Sequence, residues 1–104
     1  MTRKTNYTNA AQQRLMRLVL VMFGDVVNGH PPSVLAKAVG CSHPMITRDL
    51  DNLATGGWAE RDEAAGTWRL TPRLPQQAIK VFTAIDQAER RIEQARSRFT
   101  RNPD

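Results

Sequence analysis

The chain has very little of what catalysis and metal binding need. In 104 residues there is one cysteine, Cys41, and there are two histidines, His30 and His43. One thiol excludes an internal disulfide framework and a cysteine-rich zinc site. Cys41 and His43 lie close together, but two donors are too few to predict a bound metal. No glycine-rich phosphate loop and no motif of paired carboxylates is present. The expectation is therefore no enzyme, no metal and no cofactor. Long apolar runs are missing too. The longest, Leu18 to Phe23, falls far short of the ~20 residues of a membrane-spanning helix. The basic start, Arg3 and Lys4, is followed by polar residues rather than a signal-peptide core. A cytoplasmic protein with no membrane partner is expected.

What is present is a moderate apolar content of 40%, with 24% charged and only 6% aromatic residues. These proportions exclude collagen-like and low-complexity chains. One domain with a short accessory element fits the length. The net charge is +5, from 15 basic and 10 acidic side chains. Most of the basic groups are arginines, which favour bidentate contact with phosphate or carboxylate. The surplus sits towards the amino end, where Arg3, Lys4, Arg14 and Arg17 meet no acid before residue 18. Such a balance permits a nucleic-acid partner without requiring one.

Residues 1–9 read as a flexible basic arm, with Asn6, Thr8 and Asn9 as candidate caps for the first helix. Leu15, Leu18, Val19, Met22, Phe23, Val26 and Val27 form a one-face stripe, predicting that helix over about 10–28 with Gly29 as its stop. After Pro31 and Pro32, Ser33 is a candidate cap for a short helix over 34–39. Ser42 caps a third helix over 43–55, with Pro44 tolerated in its first turn. Residues 58–61 and 67–70 read as two strands around an acidic loop, with Trp58 and Trp68 free to pack across the hairpin or into the core. Pro72 and Pro75 bracket a linker, and a last helix spans about 76–100.

The order helix, helix, tight turn, helix, hairpin is that of a winged helix-turn-helix. The fold class expected is mainly α with a small β-hairpin, an α+β arrangement over 10–74, followed by a long carboxy-terminal helix over 75–100. Two helices that cross with almost no linker need a small residue at the crossing and a residue tolerant of left-handed geometry at the turn. Ala36 and Gly40 supply these, Ile46 is the plug from the second helix, and Leu35 and Val39 complete the contact. Cys41 is expected as a small buried residue in the turn.

Four segments carry a resemblance to a known family. They are Leu35 to Gly40, Thr47 to Leu53, Gly57 to Arg61, and Thr67 to Leu74. Together they resemble the DNA-binding domain of IclR-type transcription regulators, over about residues 10–75. No counterpart of that family's effector-binding domain is visible, so no small-molecule effector is expected. The resemblance implies a recognition helix in the major groove of double-stranded DNA, with Ser42, His43, Pro44, Met45, Thr47 and Arg48 facing the bases. The chemistry suits that role. A helix amino terminus favours phosphate, and Arg48 suits guanine or a phosphate. His43 and Thr47 can donate to base edges, and Met45 can touch a thymine methyl. Bland roles stand beside these. Ser42 can be only a cap, His43 only an exposed side chain, and Arg48 can pair with Asp25, Asp49 or Asp51.

Backbone contacts are expected from Arg3, Lys4, Arg14 and Arg17, or these line a solvated face. The wing tip, Asp62 to Gly66, is acidic and repels phosphate, although Arg61 and Arg69 flank it and could still reach DNA. The wing is thus a spacer or a surface for another protein. In the last helix, Ala78, Val81, Ile85, Ala88, Ile92, Ala95 and Phe99 follow a heptad seam. Its half-alanine composition makes it weak. Dimerisation through Val81, Ile85, Ala88, Ile92, Ala95 and Phe99 is expected, and packing on the first helix of the same chain is the alternative. The reading is a dimeric, sequence-specific regulator that occupies an operator at the nucleoid. The rival is a winged-helix module that binds a protein through its acidic wing or last helix.

Overall fold

A computed structural model describes residues 5–101. The chain divides into two compact units, one ending at Thr71 and one beginning at Pro72. In order, the elements are α1 (Ala10–Met22), α2 (Pro32–Val39), α3 (His43–Thr55), β1 (Ala59–Asp62), β2 (Thr67–Leu70) and α4 (Arg73–Thr100). The fold is mainly helical with one small antiparallel sheet, in a winged-helix layout.

The first unit is built around one apolar core. Leu18 and Met22 from α1, Leu35, Ala36 and Val39 from α2, and Ile46, Leu50 and Leu53 from α3 are buried with Ala59 and Leu70 of the sheet. Truncating a fully buried leucine such as Leu50 to alanine costs about 2–5 kcal/mol through lost transfer energy and the cavity left behind. The sheet pairs Ala59 with Leu70 and Asp62 with Thr67, so its two buried residues face each other across one register position.

α2 and α3 are joined by three residues. Gly40 adopts the left-handed conformation (φ 72°), and the Cys41 N–H donates to the Ala36 carbonyl at 3.0 Å. Ser42 then caps α3, its hydroxyl accepting from the Met45 N–H at 3.4 Å. The tight turn expected from Ala36, Gly40 and Ile46 is therefore present. Cys41 itself is half-buried rather than buried.

Helix boundaries differ from the sequence expectations where local polar groups or prolines intervene. α1 ends at Met22, not near residue 28. Gly24 weakens propagation, and the Asp25 carboxylate accepts from the Val27 and Asn28 N–H groups, closing a turn that competes with the helix. Val26 and Val27 fall outside the helix and are exposed, although they continue its apolar spacing. α2 begins at Pro32 and not after a Ser33 cap, because proline at the first helical position loses no intrahelical bond. α4 begins at Arg73, three residues early. Pro75 sits in its first turn, where N–H groups have no helical partner, so the expected linker over 72–75 is not formed. β1 starts at Ala59 rather than Trp58.

Gly29 does not stop α1. It has φ 76°, and a Cβ there would lie 2.5 Å from the Trp68 carbonyl oxygen. Its missing side chain lets His30 and Trp68 exchange both backbone hydrogen bonds, at 2.9 and 2.8 Å. This single bridge ties the loop between α1 and α2 to the wing. Thr67 reinforces it by donating to the Asn28 carbonyl at 2.8 Å. Trp68 is thus half-buried at that junction, while Trp58 is 42% exposed.

Candidate nucleic-acid interface

α3 has two faces. Ile46, Asp49, Leu50 and Leu53 are turned inward, at the spacing of one helical stripe. Opposite them, Pro44, Arg48, Asp51 and Thr55 form the centre of the outward face, all exposed. Ser42, His43, Met45 and Thr47 complete the exposed amino-terminal end. The six residues expected at the bases are thus brought together on one solvent-facing end of a helix. Thr47 donates its hydroxyl proton to the His43 carbonyl at 3.0 Å, which leaves the Thr47 oxygen as an acceptor towards solvent.

The charge pattern around Arg48 arises from pairings at a distance in sequence. Asp49, its neighbour, faces inward and takes Arg14 of α1 in a two-pronged pair at 2.7 and 3.0 Å. Both side chains are largely covered, 12% and 9% exposed. The Asp49 hydrogen bond holds the Arg14 guanidinium more firmly protonated than an ordinary arginine, against a smaller opposing effect of burial. Asp25 is committed to its own turn, where its bond to the Asn28 N–H lowers its carboxyl below the usual range. Arg48 has no ion pair with Asp25, Asp49 or Asp51 among the described residues. Arg14, expected as a backbone candidate or part of a solvated face, is instead largely covered and paired with Asp49 across the α1–α3 contact.

The wing reverses this arrangement. Arg69 donates to Glu60 at 2.9 Å, lies 3.7 Å from Asp62, and reaches the Val27 carbonyl at 3.4 Å. The bond to Glu60 raises its pKa. Arg69, expected as a flanking cation that could reach DNA, is thus already ion-paired within the wing. Asp62 is occupied as well, accepting from the Ala64 and Ala65 N–H groups of the turn, both at 3.1 Å. Arg61 and Glu63 are exposed and carry no ion pair among the described residues.

Of the remaining backbone candidates, Arg17 is exposed and outside every ion pair among the described residues. Arg3 and Lys4 lie outside those residues. One cation escapes the sequence reading. Lys37 is exposed in the last turn of α2, just before the turn into α3. The first helix of a helix-turn-helix crosses the DNA backbone, so a lysine at that end is a usable signal.

An apolar groove of about 270 Å³ runs between α1 and the end of α3, lined by Leu15, Met16, Val19, Leu53 and Trp58. No charged side chain enters it. Among the described residues no group of three metal-ligating side chains occurs, and no helix is long and apolar enough to cross a membrane.

In the second unit, α4 has no buried residue. The expected dimerisation residues Val81, Ile85, Ile92 and Phe99 are exposed, as is Ala95, and Ala88 is intermediate. The Arg98 guanidinium stacks 4.9 Å from the centre of the Phe99 ring.

No protein-family model matches the chain, and no curated protein matches it in sequence.

Proposed function

We propose that this protein is a sequence-specific double-stranded DNA-binding regulator of transcription, acting as a homodimer that lays α3 in the major groove. The observation that carries the reading is the state of Arg48. It stands exposed at the centre of the outward face of α3 without an ion pair among the described residues, while the acid beside it is neutralised from behind by Arg14. A bidentate cation on the exposed end of a capped helix matches the chemistry of guanine and of phosphate. Ser42, His43, Met45 and Thr47 surround it with a donor, acceptors and an apolar contact. Lys37, Arg17 and Arg61 are the backbone cations of this reading, joined by Arg3 and Lys4 of the amino-terminal arm.

The test is selection from a randomised duplex pool near physiological salt, with sequencing of the bound fraction. The expected result is an enriched motif with twofold symmetry that is lost on Arg48→Ala. Binding that fades as salt rises, with no enriched sequence, is phosphate attraction alone and overturns the operator reading.

One observation favours a second reading. The wing retains an exposed Glu63, and its Arg69 is already saturated by Glu60 and Asp62. Under that reading the protein is an interaction module that docks another protein on the acidic wing. It predicts that Glu63→Lys abolishes function while Arg48→Ala does not.

A further inference from the structure

The early start of α4 changes its seam. Because the helix begins at Arg73, Leu74 is helical and lies seven residues before Val81. It adds an eighth apolar position to the heptad stripe that ends at Phe99. We propose that the partner of this stripe is α4 of a second copy, running antiparallel, with residue numbers across the seam summing to 173. This rests on the dimer proposed above but not on DNA binding.

Layer matching selects that register. In an antiparallel pair each a position meets a d position of the other helix. At a sum of 173 all eight seam residues find partners. Leu74 meets Phe99 at each end, and Ala78 meets Ala95 one layer in. Val81 then meets Ile92, and Ile85 meets Ala88 beside the twofold axis. The large residues thus alternate with a thin alanine layer, which allows close approach of the two helices. Shifting by one heptad either way leaves end residues such as Leu74 or Phe99 without a mate.

Flanking charge agrees with this register and excludes two alternatives. A parallel pair sets Arg91 against Arg96 of the second copy, twice. The antiparallel register one heptad further sets Arg91 against Arg91 and Glu89 against Glu89. At a sum of 173, Arg91 faces Ala84, Arg98 faces Gln77, Arg96 faces Pro75 and Glu89 faces Phe82. No like charges meet. Most of the stripe is open, with Val81 56%, Ile92 62% and Phe99 79% exposed and Leu74 and Ala88 intermediate.

The arrangement has a geometric consequence. At 1.5 Å rise per residue, the two points where the chains enter the rod at Arg73 lie about 40 Å apart along its axis. A parallel pair would place both entry points at the same end.

Spin labels test the register on the full chain without DNA. Gln76→Cys, Arg90→Cys and Ser97→Cys, each in a Cys41→Ser background, put labels on the outer face of α4. The axial separations expected between copies are about 30 Å for 76, about 10 Å for 90 and about 30 Å for 97. A pattern of about 42, 0 and 21 Å means the shifted register, and no axial separation at any site means a parallel pair. Either overturns the proposal. So does a wild-type chain that sediments as a monomer at high micromolar concentration. Ile92→Glu is expected to dissolve the dimer, because it sets a carboxylate against Val81 of the second copy. A correct register with no DNA motif would sink the operator reading alone, and a DNA motif with the wrong register would sink this one alone.

Discussion

Helix α3 and the wing carry the same kinds of charge and use them in opposite ways. On α3, Arg48 is followed by acids at Asp49 and Asp51, yet the nearer one is turned inward and taken by Arg14 from α1. On the wing, Arg69 lies across from Glu60 and near Asp62, and both acids bear on it. One arginine is left to solvent and the other is tied down. The difference comes from the period of the element. A helix separates neighbours by about 100°, so Asp49 and Arg48 point apart. In an antiparallel pair, residues directly opposite lie on the same face, so Glu60 and Arg69 meet.

The largest effect comes from breaking the pair that makes α3 different. Asp49→Ala leaves the largely covered Arg14 guanidinium without its partner. Removing one member of such a pair is strongly destabilising. The expected outcome is a melting temperature lower by several degrees, read by circular dichroism, with DNA binding lost in parallel. If Asp49→Ala melts like the wild type, the pair does not hold α1 to α3 and the contrast with the wing collapses.

Arg48→Ala comes next. A good bidentate base contact supplies about 1–3 kcal/mol of discrimination, so binding to the enriched motif should weaken roughly tenfold to a hundredfold. Stability should not move, because Arg48 carries no ion pair among the described residues. A matched loss of melting temperature would mean that Arg48 is structural.

Much of this is legible in the sequence, for physical reasons that differ by element. α3 is readable at its start because Ser42 and Pro44 are strong local signals that agree with its apolar spacing. The true end of α1 is hidden. Val26 and Val27 keep the helical spacing by coincidence, while the decisive group is the Asp25 side chain folding onto its own turn. The role of Gly29 is invisible, since it depends on Trp68, far along the chain. For the same reason Arg14 reads as a free cation. Its partner lies 35 residues away, and charge counting along the chain does not see tertiary pairs. Lys37 is easily overlooked because it stands alone and not in a basic cluster.

Releasing the wing arginine sharpens the comparison from the other side. Glu60→Gln removes the acid that Arg69 donates to at 2.9 Å and leaves it the longer contact with Asp62 at 3.7 Å. Arg69 then loses its strongest ion pair and has more charge to offer a phosphate, while keeping Asp62 and the Val27 carbonyl. Binding to DNA should tighten a few-fold at low salt. The slope of log K against log salt should steepen by about 0.9 for one added phosphate contact. An unchanged slope would show that the wing does not approach the backbone, which favours the protein-docking reading.

The smallest effect concerns Asp25, the acid that closes the turn after α1. Its carboxyl is held below the usual range, first by the Asn28 N–H and also by the Val27 N–H and a nearby His30. A group whose folded pKa is depressed adds stability above its unfolded pKa and loses it as pH falls through the folded value. Its contribution should therefore be complete at neutral pH and fade only below about pH 4, the ordinary carboxylate range. Asp25→Ala should lower the melting temperature slightly at pH 7, with the gap to wild type closing as the solution is made strongly acidic. A gap that stays constant down to about pH 2, below the ordinary carboxylate range, would mean that the turn is held by shape and not by the ionised carboxylate.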